Sequence, residues 1–342
     1  MTPHFPLTVN AWELPRGLGL AGLRQVAREV HAPGRGEVLL RPRVAALNAR
    51  DAWMADAPGE GAAQPGSDGA GEVLAVGEGV STLRPGDRVL ASFFPHWQDG
   101  PPNPTATRLA LGGRGPGLLA QAVLLPAEGL LHLPEDMDFE TAASLPTAGV
   151  TAWHALFEVG PWRPGEAVLI LGTGGVATWA LQLAVAAGLR AIVSSSRPER
   201  LAQAQALGAA ATLRIGRDEA GWAAKVRELN GGQGVDRVIE TSGQATLAES
   251  MRATRPAGTV AVVGGTSGWG GAVDADALID GALRLQGVLV GSRRMLADLL
   301  RFVQQRGLRP TIAARYGFAE LPQAFATLAA GERLGKVLVT LD

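Results

Sequence analysis

The sequence predicts an α/β protein. A doubly wound parallel sheet fills the middle of the chain, and a mostly β domain precedes it. Three observations predict this. From about residue 129, short apolar runs alternate with helical stretches, the pattern of a parallel sheet covered on both faces. Residues 1–125 instead carry short β-prone runs broken by Gly and Pro. The chain has 342 residues, 46% hydrophobic and 18% charged, which is enough for two packed domains and too apolar for a disordered one.

Taken in order, EVLLRPRVAAL (37–47), GEVLAVG (71–77) and DRVLASFF (87–94) read as strands, separated by turns such as RPGDRV (84–89). PHWQDGPPNPTATRLALGGRGPG (95–117) reads as a surface loop. A helix is expected over 138–158 with Asp138 as its cap. Next come the strand AVLILG, a helix over 176–187, the strand AIVSSS, a helix over 198–207 and the strand ATLRI. A helix near 218–229, VDRVIETSG, a helix near 245–254 and TVAVVGG follow. The chain closes with LQGVLVGS, a helix at 295–305 and GKVLVTL.

Composition excludes several classes of function. The net charge is −1, and the arginines are scattered and matched by acids, so no nucleic-acid footprint is expected. There is no cysteine, which removes disulfides, thiolate zinc sites, iron–sulfur clusters and a cysteine nucleophile. MTPHFPLTVNAWELP has neither a basic start nor an apolar core, so no secretory signal is expected. No apolar run approaches about 20 residues, so no membrane span is expected either. A cytoplasmic protein is the expectation.

The central motif follows the strand AVLILG (167–172). Gly172-Thr173-Gly174-Gly175-Val176-Ala177 opens a helix in the pattern G-x-G-x-x-A. Gly172 permits the tight turn, Gly174 lets the backbone approach a pyrophosphate, and Ala177 lets the helix pack close to the strand. The helix start offers N–H donors and partial positive charge to phosphates. About 20 residues on, where NAD sites usually place an acid, the sequence reads Ser194-Ser195-Ser196-Arg197, with Arg200 beyond. Hydroxyls and guanidinium groups there suit a 2′-phosphate, so NADPH rather than NADH is the expected cofactor. The alternative is that Arg197 and Arg200 simply face solvent at a helix start.

PGSDGAGEVLAVGEGVSTLRPGDRV (65–89), AASLPTAGVTAWHAL (142–156), the segment 168–208, GQGVDRVIETSG (232–243) and GKVLVTL (335–341) occur in order. Together they resemble the medium-chain dehydrogenase/reductase superfamily over almost the whole chain, in its zinc-free, alcohol dehydrogenase-like or quinone oxidoreductase-like branch. The resemblance implies a Rossmann domain over 129–292 and a GroES-like catalytic domain made of 1–128 and 293–342, with the active site in the cleft between them. It also implies a homodimer. The departures carry information. Zinc-dependent relatives have Cys where Asn48 stands, His–Glu where Ser67 and Asp68 stand, and Cys near Thr147. A tetrahedral N/S zinc site cannot be built from these residues, so no metal is expected.

Without a Lewis acid, hydride transfer to a conjugated carbonyl, a quinone or an α,β-enone, is easier than to a simple ketone, because the developing charge spreads. The expectation is a zinc-independent, NADPH-dependent reductase of such an acceptor, with no nucleic-acid or membrane partner. The alternatives are an NADP-dependent alcohol or aldehyde dehydrogenase, an enoyl reductase, and an NADPH-binding sensor or structural protein. Asn48 is read as a donor to the acceptor oxygen or as a turn cap. Arg50 is read as an enolate stabiliser or as a partner of Asp51. Asp51 and Asp68 are read as structural acceptors. Thr147 and Thr151 are read as partners of the carboxamide or ribose, and Trp53, His96 and Trp97 as lining the substrate. The proton is assigned to water or His96. Where parallel strands end, Thr241, Gly264, Gly265 and Gly291 are expected beside the cofactor. Lys336 is expected there too by resemblance, or else on the surface.

Overall fold

The computed structural model describes residues 3–54, 56, 60–163, 165–216, 219–270, 273–331 and 334–341. It divides into two compact units. One comprises the chain through Val150, the stretch from Gly291 and the last strand from Lys336. The other is Thr151–Val290 with the short stretch before Lys336. The first boundary expected from the sequence lies at 128; the segment from there to Val150 packs with the first unit.

The second unit is a six-stranded parallel sheet. Its strands, numbered within the unit by chain order, stand in the order 3-2-1-4-5-6: Ala211–Arg214, Arg190–Ser195, Ala167–Leu171, Val235–Glu240, Thr254–Val262 and Arg284–Gly287. The central strands are buried on both faces, which is why they read as unbroken apolar runs: Val168, Leu169, Ile170, Ile192, Val238 and Ile239 are each 0% exposed. Helices Gly175–Ala186, Pro198–Ala206, Trp222–Leu229 and Leu247–Ala253 connect them. Trp222 and Val226 from one such helix fill the core against Leu169, Ile192 and Val260.

The first unit holds a seven-stranded sheet around Glu37–Leu47, which pairs antiparallel with Gly69–Val76, Val123–Pro126 and Lys336–Thr340. This pairing sets the last strand of the chain beside residues 44–47 and brings Lys336 to Asn48. Trp12, Leu47, Phe325, Val337 and Val339 form one core of the unit.

The expected helix over 138–158 is present but uneven. Asp138 caps Phe139–Ala143 through its side chain, and two π-helical turns follow, Leu145–Gly149 and His154–Glu158, on either side of Val150–Trp153. Such turns displace side chains from the regular helical face and are common at functional sites. The late strand is corrected. LQGVLVGS (285–292) stays in the strand only through Gly287, and farther on Val290 turns the chain at φ +45°. Gly291 and Ser292 therefore do not close a strand. Ser292 caps helix Arg293–Arg306, its Oγ accepting from the Met295 N–H at 3.3 Å. Among the described residues, no helix is long and apolar enough to cross a membrane.

Candidate active site

The glycine turn has the geometry its sequence implies. Gly172 sits at φ +79°, a left-handed conformation that a Cβ would strain, and its N–H reaches Ser194 O at 3.0 Å. Gly174 precedes helix Gly175–Ala186 in an extended conformation, and no side chain caps that helix. A Cβ built on Gly174 would meet open space, so the approach to the first-turn N–H groups of Gly175 and Val176 is clear. An uncapped, unobstructed helix start is a ready anion site.

The adjoining strand end is cationic. The Ser195 Oγ accepts from the Arg197 N–H at 3.2 Å, which fixes the entry to helix Pro198–Ala206, and Ser196 is exposed. Arg200 Nη1 donates to the Thr173 Oγ1 at 3.0 Å. Burial, and then the nearby charge of Arg197, hold the Arg200 guanidinium below its ordinary pKa. Two guanidinium groups whose charges disfavour one another, with no acid at 194–196, offer donors suited to an anion.

Behind the turn lies a residue that the sequence reading did not single out. Glu240, 0% exposed, accepts from the N–H groups of Ser242 and Gly243 at 2.8 and 2.9 Å, from Thr246 Oγ1 at 2.8 Å and from Ser250 Oγ at 2.5 Å. Its own carbonyl accepts from Gly264 N–H at 3.3 Å, beside Gly265. Thr241 Oγ1 donates to Leu171 O at 2.8 Å and ties this loop to the glycine turn. The signal in the sequence was an acid at the last position of a buried strand, ahead of small polar residues. Thr151, 4% exposed, lies on Val150–Trp153.

In the first unit, Asn48, Ser67, Asp68 and Lys336 meet. The Asn48 Nδ2 donates to Asp68 Oδ2 at 2.9 Å and to Ser67 Oγ at 3.1 Å. The Lys336 ammonium, 3% exposed, donates to Asn48 Oδ1 at 2.6 Å, Leu47 O at 2.9 Å and Asp68 Oδ2 at 3.2 Å. All three of its N–H groups therefore have protein acceptors. Asp51 clamps the cluster from below, accepting from the backbone N–H of Asn48 at 2.8 Å and of Ser67 at 3.1 Å. Burial pushes the Asp51 carboxyl above its ordinary pKa, opposed by Arg50 and these hydrogen bonds. Two of the buried oxygens that have no partner among the described residues belong to candidate site residues: Asp68 Oδ1 and Thr147 Oγ1, the latter on a π-helical turn.

These residues do not fit a zinc ion. They offer an amide, two hydroxyls and one carboxylate where zinc prefers Cys, His and carboxylate. A buried ammonium already holds Asn48 Oδ1 and Asp68 Oδ2, and a divalent cation there would meet its charge. Among the described residues, no group of three or more His, Cys, Asp or Glu could hold a metal.

The remaining residues are distributed as follows. Arg50 is half-buried, with Nη1 donating to Leu111 O at 3.0 Å and its guanidinium 4.6 Å from the Phe93 ring centroid. Burial lowers its pKa, against the charges of Asp51 and Asp68. Trp53 is exposed, on the short helix Ala49–Trp53. His96 Nδ1 lies 2.5 Å from Glu128 Oε1. Trp97 is fully buried and donates to Gly100 O at 2.9 Å. Gly291 packs so closely on Val150 that a Cβ would lie 2.6 Å from its methyl group.

Comparison with known proteins places the chain in a family. Residues 34–135 match the alcohol dehydrogenase GroES-like domain family, and residues 175–305 match the zinc-binding dehydrogenase family. A zinc-type alcohol dehydrogenase-like protein of Schizosaccharomyces pombe is 35% identical over 317 residues, 90% of this chain and 91% of that protein. A quinone oxidoreductase of Pseudomonas aeruginosa is 30% identical over 321 residues, 90% of this chain and 92% of that protein. A mycobacterial protein solved with NADPH superposes with a TM-score of 0.82 at 27% identity, covering 97% of this chain and 100% of that one.

Proposed function

We propose a specific reaction for a chain that belongs to the medium-chain dehydrogenase/reductase superfamily, in its alcohol dehydrogenase-like and quinone oxidoreductase-like branch, and is one of its oxidoreductases. The reaction is zinc-independent, NADPH-dependent reduction of a conjugated carbonyl, a quinone or an α,β-enone. The observation that carries it is the cluster at the positions of the zinc ligands, where the Lys336 ammonium occupies the acceptor atoms of Asn48 and Asp68. With no residue set suited to a Lewis acid, the favoured acceptor is one that spreads the incoming charge itself. The quinone oxidoreductase name of one relative supports this choice.

NADPH, when bound, supplies the hydride. The backbone of Gly172, Thr173, Gly174, Gly175 and Val176 holds its pyrophosphate, and Ser195, Ser196, Arg197 and Arg200 hold its 2′-phosphate. Thr241, Gly264, Gly265 and Thr151 border the nicotinamide half. On the acceptor side, Arg50 stabilises the enolate or hydroquinone anion. Its single carbonyl bond to Leu111 and its seat on Phe93 orient the planar fork. Thr147, with an unpartnered buried hydroxyl, binds the acceptor oxygen or the carboxamide. Asn48 positions rather than donates, because its amide hydrogens already face Ser67 and Asp68. The product anion takes its proton from water. The protein acts as a homodimer through the edge strand Arg284–Gly287, near which Ile279 and Leu289 are 74% and 45% exposed.

The test is NADPH oxidation with a naphthoquinone, an enone and a simple ketone, with NADH in parallel. Turnover of the conjugated acceptors with NADPH is expected. Turnover confined to the ketone, or equal rates with NADH, contradicts the reading.

A further inference from the structure

Thr173 is the variable position of the glycine turn, between Gly172 and Gly174, where the backbone requires no particular side chain. The residue is nevertheless 4% exposed, and its hydroxyl accepts from Arg200 Nη1 at 3.0 Å. Arg200 comes from a different element, helix Pro198–Ala206, so this one bond joins the glycine turn to the cationic strand end. Arg200 and Arg197 are close enough for the charge of one to disfavour that of the other. Glu199, whose charge opposes this effect, is exposed. A long arginine side chain ordinarily loses rotamer freedom when it grips a phosphate. Here one donor of the fork is fixed in advance by a buried hydroxyl, which leaves the guanidinium oriented before any ligand arrives.

We propose that Thr173 is a specificity-determining positioning residue. Its hydroxyl holds Arg200 in place for the 2′-phosphate of the adenosine moiety, so discrimination between phosphorylated and unphosphorylated cofactor is set from within the glycine turn. The proposal rests on the NADPH reading above and deepens it, because it assigns selectivity to a residue that does not itself carry charge. Removal of the hydroxyl weakens binding of the phosphorylated ligand and leaves the unphosphorylated one nearly unchanged, since ADP makes no demand on Arg200.

The test is equilibrium calorimetry on the intact protein with 2′,5′-ADP and with ADP. The wild type is compared with Thr173→Val, Thr173→Ser and Arg200→Met. A wild type that does not prefer 2′,5′-ADP refutes the NADPH reading itself. Given that preference, Thr173→Val is expected to weaken 2′,5′-ADP by about tenfold and ADP by no more than about twofold. Thr173→Ser is expected to restore the wild-type ratio. Thr173→Val is expected to add nothing once Arg200→Met is present, because the two changes break the same contact. If Thr173→Val does not fold, Thr173→Ala is read in the same way. A hydroxyl-free variant that keeps the wild-type ratio overturns the proposal. So does one that weakens both ligands equally, since the hydroxyl would then serve only the turn.

Discussion

Lys336 Nζ lies 3.2 Å from Asp68 Oδ2, a pair of buried opposite charges 268 positions apart in the chain, and the same ammonium donates to the neutral Asn48 Oδ1 at 2.6 Å. Replacing Lys336 with Met leaves the 0% exposed Asp68 carboxylate without the ammonium that is hydrogen-bonded to it. Removing one partner of a buried pair costs about 3–5 kcal/mol. The urea midpoint of Lys336→Met should fall accordingly, and adding Asp68→Asn should recover much of the loss. Equal stability of wild type and single variant would show that the pair does not hold the cluster together.

Asp51 should titrate above the ordinary aspartate value of about 3.9, because burial outweighs Arg50 and the N–H groups of Asn48 and Ser67. A native pKa raised above the unfolded one means that the native state binds the proton more tightly. The stability contributed by this group is present below the unfolded value and is lost as pH rises through the native one. Carboxyl-carbon NMR gives the midpoint directly. The stability of wild type relative to Asp51→Asn should decline as pH rises through that window. A midpoint at or below the ordinary value would be inconsistent with this picture.

Arg50→Met should lower kcat/KM for a quinone or enone by roughly a hundredfold while the KM for NADPH holds steady, the signature of a lost oxyanion partner. Arg50→Lys should restore little, because a point charge cannot both donate to Leu111 O and lie flat on Phe93. A shift confined to the KM for NADPH would move Arg50 out of the acceptor role.

Glu240 yields a contrast between two variants. Three of its donors share Oε1, and the fourth, Ser250 Oγ, is a hydroxyl that can turn and accept. Glu240→Gln should therefore cost about 1 kcal/mol. Glu240→Ala leaves several buried donors unsatisfied at about 1–3 kcal/mol each and should also raise the KM for NADPH. Thermal unfolding separates the two, and similar losses for both variants would contradict the assigned geometry.

The parts of this fold that were legible in the sequence are those governed by local patterning. The glycine turn at 172–177, the buried strands and the helices of the second unit follow from small residues at fixed spacing and from apolar runs. The apolar Val288, Leu289 and Val290 prolong the pattern of strand 284–287 beyond its pairing, which stops at Gly287; the positive φ at Val290 and the Ser292 cap then lead the chain into the next helix. The Lys336–Asp68 pair, the Asp51 clamp and the Thr173–Arg200 bond were not legible. Each joins side chains whose proximity is created by sheet pairing or by a helix return, and periodicity carries no record of that. Asn48 illustrates the limit: its residue type suits a donor to substrate, but its neighbours already use both amide hydrogens.

The most direct measurement is NADPH-dependent reduction of naphthoquinone by protein that has been stripped with chelator and assayed for zinc. Undiminished turnover with zinc far below one atom per chain is expected. Activity that disappears on chelation and returns with added zinc would contradict it.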